Sequence, residues 1–79
     1  MTLTILYFAQ LAEERGAAQE RLTGDYADLA ALYNALHAQH HFSLAQNQLR
    51  VARNQMFAEW TDTPQDGDEI AFIPPVSGG

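Results

Sequence analysis

The chain has 79 residues, 47% of them apolar and 18% charged, with ten acidic residues against four arginines, no lysine and no cysteine, for a formal net charge of −6. Missing thiols exclude disulfides, thiolate catalysis and cysteine-ligated zinc or iron–sulfur centres, and the negative charge disfavours nucleic-acid phosphates. A chain this short buries only about 60% of its unfolded surface and cannot divide its core, so one domain over residues 1–79 is expected, with 74–79 as a tail.

The opening "MTLTILYFAQ" lacks the basic flank and small-residue cleavage site of a secretion signal, and Gln10 and Glu13 follow too soon for a membrane span. It reads as a strand over 2–9, with Leu3, Ile5 and Tyr7 on one face and Thr2, Thr4, Leu6 and Phe8 on the other. "AQLAEERG" predicts a short helix closed by Gly16 as a left-handed cap. "AAQERLTG" predicts a polar second strand.

The main helix is expected to start near Asp25 as N-cap, with Asp28 adding charge to its first turn, and to run to about His40. Leu29, Leu32, Tyr33 and Leu36 then form one apolar stripe able to cover a sheet. "LRVARNQMF", 49–57, predicts a strand, a tight turn at Asn54-Gln55, and a short strand carrying on to Trp60. Pro64, Asp66 and Gly67 mark a further turn. The last strand, "DEIAFIP", puts Ile70 and Phe72 on one face and Ala71 and Ile73 on the other, and Pro74-Pro75 ends it for want of N–H donors.

Both the first and last strands become apolar on two faces, as neighbours in the middle of a sheet do. The predicted fold class is therefore α+β: a ubiquitin-like β-grasp, a mixed sheet crossed by one main helix, with a flexible C-terminal Gly-Gly tail.

Chemistry-bearing clusters are sparse. His37 and His41 have the spacing of a metal pair, but histidines near a helix C-terminus are equally explained by its dipole, and no third ligand has matching spacing, so no metal is expected. Ser43, Ser77 and the threonines lie in no nucleophile motif. Asp66, Asp68 and Glu69 read as turn chemistry before the last strand. What stands out is the end, "IPPVSGG", residues 73–79. Diproline stiffens the exit from the sheet, Val76-Ser77 keeps the segment slender, and Gly78-Gly79 removes side chains from its tip. The four residues after Pro75 reach roughly 13 to 14 Å when extended, enough to thread a channel and present a carboxylate inside another protein.

In "LYFAQLAEERG", "RVARNQ" and above all "DGDEIAFIPPVSGG", the chain resembles the small-subunit family of molybdopterin synthase, which are ubiquitin-like sulfur carriers. The likeness runs along the whole chain, with Arg53 standing where that family usually has an apolar residue. It implies that a partner activating enzyme, using ATP with Mg, adenylates the Gly79 carboxylate. Sulfur then replaces the adenylate, and the thiocarboxylate enters the large subunit to convert precursor Z into the molybdopterin dithiolene. Gly79 would carry the reacting group and Gly78 give clearance. Catalytic residues would lie on the partners, and this chain would bind no cofactor itself.

The resemblance further implies an assembly of two small and two large subunits; a small domain without cysteine suits a reducing cytoplasm, and neither nucleic acid nor membrane is expected as partner on the charge and hydropathy given above. Phe8 and Ile73 are expected to form the docking patch, followed by Pro74, Pro75, Val76 and Ser77 along the arm. Acidity by itself suggests a basic partner surface, although a solubility role explains it as well. The alternatives are a carrier or modifier of another pathway, such as thiamine synthesis or tRNA thiolation, and a simple interaction module. Without lysine the chain cannot build lysine-linked chains of itself.

Overall fold

The computed structural model describes residues 1–75; the expectations placed on Val76, Ser77, Gly78 and Gly79 lie outside the described residues. The elements are β1 (Thr2–Tyr7), α1 (Gln10–Arg15), β2 (Gln19–Thr23), α2 (Leu29–His40), a 3-10 turn (Gln46–Gln48), β3 (Arg50–Arg53), β4 (Met56–Phe57) and β5 (Glu69–Ile73). They build one five-stranded sheet in the order β2-β1-β5-β3-β4, with β1 parallel to β5 and every other pair antiparallel. The first and last strands are thus adjacent at the centre, in the β-grasp arrangement.

Alternation decides which side chains enter the core. Leu3, Ile5 and Tyr7 of β1, Ile70 and Phe72 of β5 and Val51 of β3 are buried beneath α2, whose Leu29, Leu32, Tyr33 and Leu36 close the layer from above. Tyr33 is central: its ring meets Phe72 edge-on at 5.0 Å between centroids, and its hydroxyl donates to the Leu44 carbonyl at 2.6 Å. Burial pushes that phenol up to about 12.

Several boundaries differ from the sequence-based expectations, each for a local reason. The strand 2–9 stops at Tyr7, because Ala9 adopts φ 50° and turns the chain into α1. Gly16 does close that helix, at φ 79°, donating its N–H to the Ala12 carbonyl. The cap of α2 is Asp28 rather than Asp25: the Asp28 carboxylate accepts from the Ala31 N–H at 2.7 Å. Carbonyls of Asp62 and Trp60 take the Leu29 and Ala30 N–H groups, so a distant loop completes the helix start. Asp25 instead sits 3.3 Å from the Met1 ammonium. At the other end His41 closes α2 in a left-handed conformation, φ 57°.

Trp60 is a second correction. β4 ends at Phe57, and Trp60 lies in the following loop with its indole stacked on Phe72 at 6.0 Å, so its role is to seal the core rather than extend a strand. Arg53, the departure from the family pattern, donates to the Thr63 carbonyl at 3.2 Å and lies 3.9 Å from the Asp68 carboxylate. It thereby ties β3 to the loop that precedes β5.

A polar knot fastens β2. Glu20, facing inward beside Ile5, accepts from the Arg15 guanidinium through both its oxygens and from the Tyr7 hydroxyl at 2.6 Å. The Arg15 hydrogen bonds, and then that of Tyr7, hold the Glu20 carboxyl below its ordinary 4.5 despite the opposing effect of partial burial. A carboxylate with a depressed folded-state pKa stabilises the fold above its unfolded value and loses that contribution as pH falls through the folded one. Stability should therefore decline as pH drops below about 4.5, and Glu20→Gln should flatten that decline; urea midpoints measured from pH 7 to pH 3 would show it.

Candidate functional site

The outer face of the sheet, away from α2, carries a shallow groove. Register places its floor: Leu6 of β1 lies beside Ala71 of β5, Ala71 beside Ala52 of β3, and Ala52 beside Phe57 of β4. Phe8, Gln55, Glu69 and Ile73 complete the lining. The small Ala71 and Ala52 make the concavity, and larger side chains stand around it.

Each wall follows from a local cause. Ile73 faces outward because its neighbour Phe72 faces the core. Phe8 is the residue just past the β1 ladder, and the Ala9 turn leaves it 45% exposed rather than folded under the sheet. Phe57 is 63% exposed because Asn54 and Gln55, at φ 53° and 71°, make a two-residue turn that sets it opposite Ala52. The Arg50 guanidinium lies 3.9 Å above the Phe57 ring centroid.

That turn is anchored. The Asn54 amide donates to Asp68 at 3.0 Å and accepts from the Glu69 N–H at 2.9 Å. Asp68, itself nearly buried, also takes the Gln65 N–H. Asp66 accepts from the Thr2 N–H at 2.7 Å. The acidic cluster before the last strand therefore holds backbone, consistent with turn chemistry, and leaves no carboxylate pair poised over the groove.

The structure brings two of the expected site residues together, Phe8 and Ile73, on the same groove. Pro74 and Pro75 follow Ile73 directly, half-buried and exposed respectively, so the arm departs from the groove's edge. Phe57 and Leu6 belong to the same surface and were not singled out from the sequence. The signal for Phe57 was the two-residue turn, which fixes the hairpin register and so the face on which residue 57 appears. His37 and His41 do not share a face, since His41 has left the helix; His37 packs on Tyr33 and His40 lies 3.9 Å from Glu20. Among the described residues no three His, Asp or Glu side chains gather as metal ligands, and no helix is long and apolar enough to cross a membrane.

The chain is 34% identical over 80 residues to the molybdopterin synthase sulfur carrier subunit of Escherichia coli K12, covering 98% of this chain and 99% of that one. Among solved structures it is similar to small archaeal modifier protein 1 of Haloferax volcanii, with a TM-score of 0.79 and 27% identity over 95% of this chain and 98% of the other. A chain of the complex of subunits 1 and 2 of molybdopterin-converting factor from Helicobacter pylori has the same fold, with a TM-score of 0.71 and 21% identity over the full length of both. The ThiS family model matches residues 5–79, and the chain belongs to the ThiS family.

Proposed function

We propose that this chain is the sulfur carrier subunit of a molybdopterin synthase and that its reacting group is the carboxylate of Gly79. A carboxylate resists attack by a sulfur nucleophile because its leaving group is an oxide. An activating partner that uses ATP with Mg converts it to an acyl adenylate, releasing pyrophosphate, and incoming sulfur then expels AMP to leave a thiocarboxylate. The large subunit receives this tail, and the sulfur passes to precursor Z to build the dithiolene. The chain supplies the arm and the docking face, and the catalytic side chains belong to the partners.

The observation that carries this reading is continuity. The strand whose Ala71 and Ile73 line the groove is the strand that leads through Pro74-Pro75 toward Gly78-Gly79. A partner gripping the groove is therefore within roughly 13 to 14 Å of whatever the last four residues deliver. The full-length identity to the E. coli carrier subunit and the fold shared with a chain of the H. pylori complex support the large subunit as that partner. Phe8, Ile73 and Phe57 would be its anchors, since exposed apolar clusters with a polar rim mark interfaces.

A protein-modifier role is the second reading, favoured by the likeness to the archaeal modifier protein. One experiment separates them. Incubated with its activating enzyme, ATP and a sulfide donor, the carrier should gain the mass of one sulfur for one oxygen at its C-terminus. Joining to an amine of another protein, with no stable sulfur-bearing form, would instead establish the modifier.

A further inference from the structure

The outer sheet face has a charge unlike the rest of the molecule. Arg21 leaves β2 on this side, beside Thr4, and Arg50 leaves β3 on it, beside Ile73; both are exposed. Among the described residues Arg15 and Arg53 have carboxylate partners, Glu20 and Asp68, whereas neither Arg21 nor Arg50 does. Glu69 is the acidic residue that lines the groove. The remaining acids sit on α1, at the inward position of β2, in the loop that leads into α2, in the turn before β5, and in the loop after β4, where Asp62 borders the far side of Phe57. Among the residues that line the groove Glu69 is thus the single acid, and most of the net negative charge is carried elsewhere on the molecule.

Arg50 is also placed where docking must bury it. Its guanidinium rests on the Phe57 ring and it stands across the ladder from Ile73, so a partner covering these apolar walls covers the charge between them. An ion taken out of water without a counter-charge is a heavy penalty on any complex. Stacking on an aromatic ring leaves the edge of the guanidinium fork open, and that edge matches a carboxylate through two parallel hydrogen bonds.

Resting on the docking reading above, we propose that Arg50 is the specificity-determining residue of this face. It pairs with a carboxylate on the partner protein. The face thereby accepts a surface that is apolar opposite Phe8 and Ile73 and acidic opposite Arg50, and rejects one that presents Lys or Arg there.

The test titrates wild type, Arg50→Gln, Arg50→Glu and Phe8→Ala against the molybdopterin synthase large subunit from the same organism, at low and high salt. Arg50 is exposed, so matched thermal melts are expected for its variants. Arg50→Glu should weaken binding about tenfold or more at low salt, Arg50→Gln less, and the gap should narrow in high salt as the charges are screened. Phe8→Ala should weaken binding at both. If Arg50→Glu binds as tightly as wild type while Phe8→Ala is impaired, the role of Arg50 is overturned and the docking face stands. If neither variant changes affinity, the partner docks elsewhere and both readings fall.

Discussion

Deleting Gly79 should abolish sulfur loading and leave the fold untouched. The described core ends before the arm begins: Phe72 is the last fully buried residue, and Pro75 is already exposed. Shortening the chain by one residue draws the carboxylate back by about 3.3 to 3.6 Å. Reaction requires the attacked carbon within about 3 to 3.5 Å of its partner, and a misplacement of even about 1 Å can cost a hundredfold. Loss of loading by at least about a hundredfold is therefore expected, and appending one residue after Gly79 should do the same, since the carboxylate then lies too far in. Intact mass after a single turnover with the activating enzyme measures loading, and a thermal melt checks the fold. Loading of the shortened chain within a few-fold of wild type would show that the reacting group is not where we place it.

The parts legible in the sequence were those set by local periodicity. Leu3, Ile5 and Tyr7 on one face of β1 and Ile70 and Phe72 on one face of β5 follow from alternation alone, and all five are buried. Gly16 declared its cap because a left-handed residue there strongly favours glycine. The misplacements come from partners remote in sequence. Asp25 and Asp28 are equally good caps by residue type, and what selects Asp28 is the loop at Trp60–Asp62, whose carbonyls receive the next two N–H groups. Trp60 reads as strand because tryptophan is itself a β-former and follows shortly after Met56-Phe57, yet its ring is claimed by the Tyr33–Phe72 stack.

The site was legible in the same partial way. Phe8 and Ile73 could be named because each directly follows a core residue, Tyr7 and Phe72, and so falls on the opposite face. Phe57 needs one step more: the Asn54-Gln55 turn sets it opposite Ala52, but that Ala52 faces the groove follows only from the pairing of β3 with Ala71 of β5. Arg50 becomes interesting only once Phe57 is beneath it and Ile73 beside it.

Adjacent residues of β5 should fail in opposite ways. Phe72 is fully buried, 5.0 Å from the Tyr33 ring and stacked on Trp60, so truncating it opens a cavity at the centre of the only core described. Phe72→Ala should cost about 3 to 5 kcal/mol, a large share of what a chain this size holds at roughly 0.05 to 0.15 kcal/mol per residue. Where that variant is too unstable to purify, Phe72→Leu should show a smaller loss in the same direction. Ile73, one position on, points the other way into the groove, half-exposed and with no ring packed against it in the core. Ile73→Ala should melt within a few degrees of wild type yet bind the large subunit about tenfold more weakly, or about 1.4 kcal/mol. Denaturant midpoints and binding isotherms on both variants decide it. Equal stability losses at 72 and 73, or an unchanged affinity at 73, would mean that β5 does not divide its two faces between fold and function.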